Sequence, residues 1–491
     1  MTLERPLTKT LFVAGTRCPK LMYYLYHYPK EIPKDSQGAE FRKKHGNIVG
    51  ETIKGLFPEA LDISKETDSL KLTLTEENKH KIIFEASVKH NNLFARADVL
   101  FPNKDGTFDI IEVKSDTKVK DEHIPDVSFQ KFVFEREGYK INKCYLLHVN
   151  NEYVRDGELN LEQLFKKEDI TELISDFNTE VIIEELLNIL KLKQVPKMDL
   201  GRYCLTPYEC SLKKECWKHL LKNNVTQLFY DKKLGFELLK QGIIEIKDIP
   251  DYIEIKGRSA DQRRIQIKAT KEGEIYINKD PIKEFIENIK YPIYYFDFET
   301  YAPAIPVFNN SKPYQQIPFQ FSLHIEHEDG TIEHKEFLAV DKKDPRPEVI
   351  KKMKEYLGDK GDILVYNKSF EQMIIRDLER DFPEFREFAR NYLDRLSDLA
   401  EPFKNFHYYD PEQTGKYSIK NVLPVMSDLS YKGMVISNGE DAFIGYEKLL
   451  YDLIDDPQEK EALISSLKEY CTKDTYAEIV ILKKLKELLD S

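Results

Sequence analysis

The segment 293–301, IYYFDFETY, decides the fold of the C-terminal part of the chain. Its apolar and aromatic residues predict a buried β-strand, in which successive side chains alternate between the two faces. Asp297 and Glu299 are two residues apart and therefore share one face. Two neighbouring carboxylates in a half-buried place repel each other unless a cation lies between them. The segment therefore predicts a strand that carries two ligands of a divalent cation.

Two later segments supply side chains that could complete such a site. Residues 362–371, DILVYNKSFE, predict a buried strand followed by a helix. Glu371 follows the carboxyl end of that strand, where α/β layers commonly place functional groups. In the long helix predicted over 457–488, Tyr470 and Asp474 are four residues apart and share a face. We expect these side chains to meet the two strand acids.

The three motifs together resemble those of the DEDD superfamily of 3′–5′ exonucleases, in its tyrosine subclass, which has an RNase H-like fold. The resemblance covers roughly residues 290–491, and Asn367 to Phe370 fit the second motif, with Glu371 where the family usually has Asp. It implies phosphodiester hydrolysis with two Mg²⁺ or Mn²⁺ ions, for which hard oxygen ligands are suited. It also implies that Tyr470 orients the attacking water. The implied metal ligands are Asp297, Glu299, Glu371 and Asp474.

A second acidic site is predicted in the N-terminal part. Residues 93–114 contain two strands joined by a turn at 103–106, a pattern typical of a hairpin. Asp98 lies on the first strand, while Glu112 and Lys114 share a face of the second. The two acids can hold a metal across the strands, and Lys114 can stabilise developing phosphate charge. A surface salt bridge within the strand is the alternative.

This arrangement resembles the PD-(D/E)XK nuclease core, in particular its RecB-like members. The resemblance implies that Glu51, on a helix predicted over 46–57, is a further metal ligand. Gln130 matches the glutamine of these enzymes. Gly50 and Phe134 stand where they usually carry His and Tyr.

Four cysteines bracket this segment of the chain. Cys18 lies near the start, and CLTPYECSLKKEC at 204–216 places the other three at intervals of six. This pattern resembles that of the iron–sulfur RecB-like nucleases, which include CRISPR-associated and AddB-type enzymes. It implies a structural [4Fe–4S] cluster held by four thiolates. Zinc and ordinary buried thiols are the alternatives. The implied cluster ligands are Cys18, Cys204, Cys210 and Cys216.

The composition fits a multidomain globular protein and limits the ways in which it could bind nucleic acid. A chain of 491 residues is too long to fold around one ordinary hydrophobic core. Its content of 41% hydrophobic and 33% charged residues is typical of globular proteins. A net charge of −12 argues against a sequence-blind nucleic-acid coat but not against a nuclease that collects acids around metals. The absence of a long apolar run and of a signal peptide predicts a cytoplasmic protein without a membrane partner.

We therefore predict an α/β protein with three parts. They are a PD-(D/E)XK domain with an iron–sulfur cluster at 1–220, a helical connector at 221–285 and an RNase H-like exonuclease domain at 286–491. A small strand pair near 265–278 is expected in the connector. The order of the two modules is also similar to that of a family of uncharacterised bacterial proteins.

The predicted function is that of a metal-dependent nuclease with two sites. DNA is favoured over RNA as its nucleic-acid substrate, by analogy with the resembled enzymes. Two alternatives stay open. In the first, one domain is an active nuclease and the other is a degenerate nucleic-acid-binding module, and Glu371 points to the C-terminal domain as the degenerate one. In the second, the protein is a non-enzymatic nucleic-acid-binding scaffold.

Overall fold

The computed structural model describes residues 3–34, 37–75 and 80–490. The chain forms two compact units of mixed α/β structure. The first comprises Met1–Lys218 with Pro303–Tyr314, and the second comprises His219–Ala302 with Gln315–Ser491. The segment 221–285, predicted to be a connector, thus belongs to the second unit. Within the described ranges, every helix is too short or too polar to cross a lipid bilayer.

The first unit is built on one mixed sheet. Its described strands are ordered β2-β3-β4-β5-β6-β7, and β1 runs parallel beside β4. The predicted hairpin is present as β4 and β5, joined by a turn in which Gly106 has a φ of +82°. The strands are β1 (Leu7–Thr8), β2 (Leu61–Asp62), β3 (Ile83–His90), β4 (Leu93–Pro102), β5 (Phe108–Lys114), β6 (Ile141–Val149) and β7 (Phe165–Asp169).

The helices of the first unit cover this sheet and bury apolar side chains against it. Phe12 and Phe129, for example, stack with ring centroids 4.8 Å apart in the main core. The helices are α1 (Lys9–Arg17), α2 (Pro19–His27), α3 (Gln37–Ile53), α4 (Ser69–Leu74), α5 (His123–Arg136), α6 (Leu161–Leu164), α7 (Thr171–Ser175), α8 (Thr179–Leu190) and α9 (Lys213–Cys216).

Helix α1 begins immediately after β1, and this brings its first residue close to the sheet. The hydroxyl of Thr8 accepts a hydrogen bond from the amide of Leu11 at 3.3 Å and so caps the helix. Because β1 pairs with β4, Lys9 starts the helix beside the central strands. This short connection matters for the acidic pocket of this unit.

The second unit is built on a sheet whose described strands are ordered β11-β10-β9-β12-β13. The pairs β9–β10 and β10–β11 are antiparallel, whereas β9–β12 and β12–β13 are parallel. A separate antiparallel pair is formed by β8 and β14. The strands are β8 (Tyr276–Ile277), β9 (Ile293–Tyr301), β10 (Ile317–Glu326), β11 (Ile332–Leu338), β12 (Ile363–Val365), β13 (Leu396–Asp398) and β14 (Tyr408–Tyr409).

Strand β9 shows the alternation that its sequence predicts. Tyr294, Phe296 and Phe298 all belong to one buried apolar cluster, which leaves Asp297 and Glu299 for the opposite face. The long helix α19 packs across β9 and β10. The helices are α10 (Lys232–Lys240), α11 (Ala260–Glu272), α12 (Lys279–Glu287), α13 (Arg346–Tyr356), α14 (Lys368–Asp381), α15 (Arg386–Asp394), α16 (Glu401–Lys404), α17 (Ile419–Met426), α18 (Gly439–Leu450) and α19 (Pro457–Asp490).

The strand pair predicted near 265–278 is wrong in its first half. Ile265 and Ile267 alternate with polar residues as in a strand, but they lie in α11, which ends at Gly273 in a left-handed conformation. The side chain of Gln266 in this helix is buried and accepts a hydrogen bond from the amide of Phe229 at 2.8 Å. The second half is β8, whose partner is β14.

Candidate functional site

Three carboxylates of the second unit converge on one point. Asp297 and Glu299 lie on the same face of β9, and Asp474 is on α19, which packs across that strand. One carboxylate oxygen from each residue lies within 4.8 Å of those of the other two. Glu299 and Asp474 are buried and Asp297 is half-buried. The sequence predicted that these three residues would meet, and the structure brings them together.

The three acids destabilise one another's charged forms. Burial and the charges of the other two acids hold the pKa of Asp297 well above its usual range, and burial with the charge of Asp474 does the same for Glu299. Burial raises the pKa of Asp474 to about 6. A divalent cation between the oxygens would reverse these shifts, since an opposite charge at short range favours the ionised form. The donor set is one that Mg²⁺ or Mn²⁺ accepts.

Tyr470 lies one turn before Asp474 on α19 and is buried. Its hydroxyl accepts a hydrogen bond from the ammonium group of Lys420 at 3.2 Å. The hydroxyl of Tyr431 donates a hydrogen bond to Oδ1 of Asp474 at 2.5 Å. Sequence analysis missed Lys420 and Tyr431, because both come from segments with no spacing relationship to the acidic motifs.

Glu371 lies in the first turn of α14, directly after β12, as predicted. It stands outside the group of three oxygens, although its charge acts on Asp297 and Glu299. The side chain is buried, its Oε2 has no hydrogen-bond partner, and burial raises its pKa to about 8. The preceding Asn367 has a φ of +81° and starts the helix.

Sequence analysis also missed Glu478, which follows Asp474 by four residues on α19. Its carboxylate is buried, and its Oε2 also has no hydrogen-bond partner. Burial and the charges of Asp297, Glu371 and Asp474 raise its pKa well above the usual range. The spacing of four residues was a signal that could have found it.

Four predicted residues of the first unit also meet, together with Asp126, which sequence analysis missed. We call this place the hairpin pocket, and its residues are Asp98, Glu112, Lys114, Asp126 and Gln130. Glu112 is buried, and its Oε1 accepts a hydrogen bond from Lys114 Nζ at 2.5 Å. Gln130 donates to Oε2 of Glu112 at 2.6 Å and to Oδ1 of Asp126 at 3.0 Å. The carboxylate of Asp98 accepts a hydrogen bond from the backbone amide of Val113 at 2.8 Å. The pocket thus links β4, β5 and α5.

The hairpin pocket already contains a second ammonium group, that of Lys9. Its Nζ lies 3.0 Å from Glu112 Oε1, 3.4 Å from Asp126 Oδ1 and 3.8 Å from Asp98 Oδ1. Burial opposes the charged form of Lys9, but these carboxylates outweigh it and hold its pKa well above the usual range. Although burial favours the neutral acid, Lys114 and Lys9 hold the pKa of Glu112 below its usual range. Burial and the charge of Glu112 raise the pKa of Asp98 to about 7.

Glu51 does not join the hairpin pocket, which corrects the prediction that it is a metal ligand. It is exposed, and its carboxylate pairs with Lys54 at 2.6 Å. The reason is helical geometry: Val49 and Ile53 form the buried face of α3, so Glu51 between them points to solvent.

A further group that sequence analysis missed lies near the start of α5. Ligand atoms of Asp116, Glu122 and His123 lie within 4.8 Å of one another. His123 Nε2 is 2.9 Å from Asp116 Oδ2, and Lys120 also pairs with Asp116. The hydrogen bond from His123 lowers the pKa of Asp116 to about 2. The carboxylate of Asp116 therefore already has partners within the protein, namely Lys120 and His123.

The four predicted cysteines of the first unit line one cavity, which we call the thiol cavity: Cys18, Cys204, Cys210 and Cys216. All are free thiols, and burial raises the pKa of Cys18 and Cys210. No three of these sulfur atoms lie within 4.8 Å of one another, since the groups that meet this limit among the described residues contain no cysteine. A tetrahedral zinc ion would hold its sulfurs about 3.8 Å apart. Four thiols on one cavity are a donor set that a zinc ion and an iron–sulfur cluster both accept.

Comparisons with known proteins give relatives of unassigned role. A family model described as a domain of unknown function, DUF2779, matches residues 294–418, a range that includes Asp297, Glu299 and Glu371. The uncharacterized protein UU173 of Ureaplasma parvum is 26% identical over 282 residues, which cover 53% of this chain and 39% of that protein. The uncharacterized protein MG366 homolog of Mycoplasma pneumoniae is 28% identical over 228 residues, which cover 42% of this chain and 34% of that protein.

The chain thus spans about two fifths of the length of the first relative and about a third of the second. Among solved structures, one titled "Crystal structure of SSO0001" covers 45% of this chain and 90% of its own, at 15% identity and a TM-score of 0.26.

Proposed function

We propose that the chain is a metal-dependent nuclease. Its hydrolytic site in this proposal is the cluster of three converging carboxylates in the second unit, which we call the carboxylate cluster. The observation that carries the proposal is the convergence of Asp297, Glu299 and Asp474, whose ligand oxygens lie within 4.8 Å of one another. Burying like charges together costs free energy unless they are paired or bind a metal. The strand order of this unit supports the assignment to the RNase H-like fold, and the hairpin pocket supports a PD-(D/E)XK-like first unit.

Asp297, Glu299 and Asp474 would hold Mg²⁺ or Mn²⁺, with Glu371 near them. Bound divalent ions supply charge neutralisation at the phosphate and a more acidic water. The chain's own residues position the reactants. Tyr470 stays protonated, because burial and the neighbouring acids raise its pKa, so its hydroxyl can donate a hydrogen bond to the attacking water. Lys420 fixes that hydroxyl and partly offsets the charge of Glu299.

The substrate in this proposal is nucleic acid, with DNA favoured over RNA and cleavage from the 3′ end. These choices come from the resemblance to the DEDD exonucleases. The site is acidic, so an anionic phosphodiester approaches it favourably only after cations are bound. Cleavage should therefore depend on divalent metal.

For the first unit, a specific observation favours the alternative of a nucleic-acid-binding module over a second nuclease. Lys9 and Lys114 place two ammonium groups among the acids of the hairpin pocket. These groups neutralise the negative charge that a bound metal ion would otherwise neutralise. A divalent ion would have to displace Lys9. In this proposal the first unit, rather than the C-terminal part that Glu371 points to, is the module without nuclease activity.

The thiol cavity is proposed to hold an iron–sulfur cluster, with Cys18, Cys204, Cys210 and Cys216 as ligands. The support is the donor set of four thiols that line one cavity. The cluster's role would be structural, because Cys18 comes from the junction of α1 and α2 while the other three come from the end of the unit. It would tie these distant segments together.

The test compares two carboxylate variants with matched controls. Asp297→Asn removes one charge from the second unit, and Glu112→Gln removes one from the hairpin pocket. The exposed residues Asp455→Asn and Glu59→Gln serve as controls. Each full-length protein is incubated with end-labelled single-stranded DNA, duplex DNA or RNA, with Mg²⁺, Mn²⁺ or EDTA.

We expect Asp297→Asn to lower the cleavage rate on the order of 100-fold or more, as expected when a group that stabilises the transition state is lost. Glu112→Gln and both controls should cleave at the wild-type rate. Undiminished cleavage by Asp297→Asn would refute the proposed site. Loss of cleavage by Glu112→Gln alone would move the activity to the first unit.

A further inference from the structure

Two tyrosine residues of the second unit, Tyr230 and Tyr417, form an exposed pair although they are 187 positions apart in the sequence. Their hydroxyl groups are hydrogen-bonded to each other at 2.8 Å, and their ring centroids lie 6.5 Å apart. Tyr230 is 70% exposed and Tyr417 is half-buried. Single exposed aromatic residues are common on protein surfaces, but here a tertiary contact holds two of them together. We call these two residues the tyrosine pair.

Buried aromatic rings support the tyrosine pair. The ring centroid of Phe229 lies 4.5 Å from that of Tyr230 and 6.1 Å from that of Tyr417. Phe229 also contacts Phe406, which stacks on Tyr409 with centroids 4.4 Å apart. Phe229, Phe406 and Tyr409 are all buried. The pair is therefore held in place before any ligand binds, and this reduces the entropy that binding costs.

The backbone of Tyr230 is in a conformation that bulky residues rarely adopt. Its φ is +51°, in the left-handed region. Such strain persists only where the surrounding structure holds it, and it is frequent at functional sites. The next residue, Asp231, is already engaged, because it accepts a hydrogen bond from the amide of Leu234 at 3.0 Å and pairs with Arg263 at 3.6 Å.

Exposed lysine residues flank both members of the tyrosine pair in the chain. Lys232 and Lys233 come shortly after Tyr230, and Lys416 directly precedes Tyr417. Aromatic rings beside ammonium groups suit a ligand that has both flat faces and negative charges. The bases and phosphates of nucleic acid have these two properties.

Printed contacts between side chains also link the tyrosine pair to the surroundings of the carboxylate cluster. The carbonyl of Tyr417 accepts a hydrogen bond from the hydroxyl of Tyr366 at 2.6 Å, and Tyr366 follows β12, the strand that leads to Glu371. Lys420 comes three residues after Tyr417, and its ammonium nitrogen lies 3.2 Å from the hydroxyl of Tyr470. Three residues are less than one helical turn, which rises about 5.4 Å. The pair therefore lies close to the residue proposed to orient the attacking water.

We propose that the tyrosine pair is a platform on which unpaired bases of a single-stranded nucleic acid stack beside the carboxylate cluster. This inference rests on the proposed function and specifies the substrate class of its site as a single strand or a single-stranded end. A base in a duplex is stacked between its neighbours, whereas an unpaired base can stack on an exposed ring. The flanking lysines would contact the phosphates of the same strand.

The experiment measures the binding of single-stranded and duplex DNA to the full-length protein in EDTA, where metal-dependent cleavage does not occur. Fluorescence anisotropy of an end-labelled oligonucleotide gives each Kd. Tyr230→Ala should raise the Kd for single-stranded DNA at least about 5-fold, the effect of losing one base–aromatic stack, and leave the Kd for duplex DNA unchanged. Tyr230→Phe keeps the ring and should bind single-stranded DNA as wild type does.

Tyr252→Ala is the matched control, because Tyr252 is 81% exposed and belongs to the same unit. The residue before Tyr252 pairs with Lys271 at the end of α11, whereas the residue after Tyr230 pairs with Arg263 near the start of that helix. The control tyrosine thus lies at the opposite end of α11. Tyr252→Ala should bind single-stranded DNA with the wild-type Kd.

A double-mutant cycle between protein and DNA tests stacking itself. One abasic residue is moved along the oligonucleotide, and at one distance from the 3′ end it should weaken binding to the wild type by the same factor as Tyr230→Ala. Tyr230→Ala should bind that abasic strand as tightly as the intact strand, because the stack is already lost. An equal penalty for the abasic residue in both proteins overturns the inference, since it would make the effect of Tyr230→Ala merely structural.

Three other results would also overturn the inference. They are a wild-type protein that does not bind single-stranded DNA, a Tyr230→Ala variant that binds it with the wild-type Kd, and loss of self-association in Tyr230→Ala with unchanged DNA binding. The last result, measured by sedimentation, would assign the tyrosine pair to contact with a second copy of the chain. If Tyr230→Ala fails to fold, Tyr230→Leu keeps an apolar side chain without an aromatic face, and wild-type binding by this variant overturns the inference.

Binding and cleavage separate this inference from the proposed function. If Asp297→Asn abolishes cleavage while Tyr230→Ala binds single-stranded DNA normally, only the stacking platform is refuted. If Asp297→Asn cleaves normally, the proposed site fails, whereas weaker binding of single-stranded DNA by Tyr230→Ala would still identify the platform.

Discussion

The ammonium nitrogen of Lys9 lies 3.0 Å from Oε1 of Glu112, although 103 residues separate the two in sequence. Lys9 is the first residue of α1, and Glu112 is on β5. The contact arises because β1 pairs with β4 and delivers the start of α1 to the hairpin pocket. The chain itself thus provides a cation at the place where a nuclease of this pattern would need a metal. This relationship leads to the first prediction.

Replacing Lys9 by Met should convert the hairpin pocket into a cation-dependent structure. Without added metal, the variant should lose about 3 kcal/mol of unfolding free energy, because breaking a buried ion pair leaves carboxylates uncompensated. Mn²⁺ should restore much of this loss in the variant and have less effect on the same transition of the wild type. Chemical denaturation with Mn²⁺ or EDTA measures both effects.

Lys104→Met, an exposed substitution in the turn between β4 and β5, is the control for Lys9→Met. The double variant Lys9→Met/Glu112→Gln should recover part of the lost stability without metal. A Lys9→Met protein that is as stable as wild type would show that Lys9 does not compensate the pocket.

For Asp297 in the carboxylate cluster of the second unit we predict the opposite effect: its replacement should stabilise the metal-free protein. Burial and three acidic neighbours disfavour its ionised form, so Asp297→Asn should raise the unfolding free energy of the metal-free protein at pH 7. Mg²⁺ should stabilise the wild type by about 2.7 kcal/mol at a concentration of 100 times its Kd, and the variant by much less. Melting curves in EDTA and in Mg²⁺ provide the comparison, with Asp455→Asn as control. A variant that is destabilised in EDTA would contradict the electrostatic account.

Local spacing was enough to predict the acids that lie on one element. Asp297 and Glu299 share a strand face because side chains alternate with a period of two, and Tyr470 and Asp474 share a helix face because of a period near four. Glu478 follows from the same rule but has no motif that marks it. Glu51 shows the limit of motif matching, since the buried residues on either side of it turn its side chain to solvent.

Contacts between distant segments could not be predicted in this way. Lys9 and Asp126 reach Glu112 only because the topology of the sheet places β1, β5 and α5 together. The sequence around Lys9 is that of an ordinary helix start. In α11, the hydrogen bonds of Gln266 with the backbone of Phe229 and Gln227 accompany a helix where the alternation of two isoleucines suggested a strand. Contacts of this kind cannot be predicted from the spacing of residues within one segment.

The thiol cavity predicts a bound group that can be identified by its colour and metal content. Protein purified without oxygen should be brown and contain about four iron atoms and four sulfides per chain. Cys204→Ser should lose the colour and destabilise the first unit, because the ends of this unit would no longer be tied together. Cys144→Ala, a buried cysteine outside the cavity, should keep the colour. A colourless wild-type protein that contains one zinc ion would contradict the cluster.

Stability in mild acid should depend on His324, a buried residue of β10. Its ring lies 4.4 Å from that of His334 on β11, and its Nδ1 is 2.9 Å from the hydroxyl of Thr475 on α19. Burial and the neighbouring His334 lower the pKa of His324 to about 4. In the unfolded chain the value is about 6.5, so the unfolded state binds the proton more readily. This contribution to stability is complete above about pH 6.5 and is lost as the pH falls toward 4.

The acids of the carboxylate cluster have the opposite effect, since they increase stability as the pH falls. Their raised pKa values favour protonation of the folded state. The comparison must therefore be made between variants at each pH. The unfolding free energy of His324→Gln should fall less than that of wild type between pH 7 and pH 4.5, as measured by urea denaturation. His219→Gln, an exposed histidine of the same unit, should follow the wild type. If His324→Gln and wild type lose equal stability over this interval, His324 is not the group that titrates.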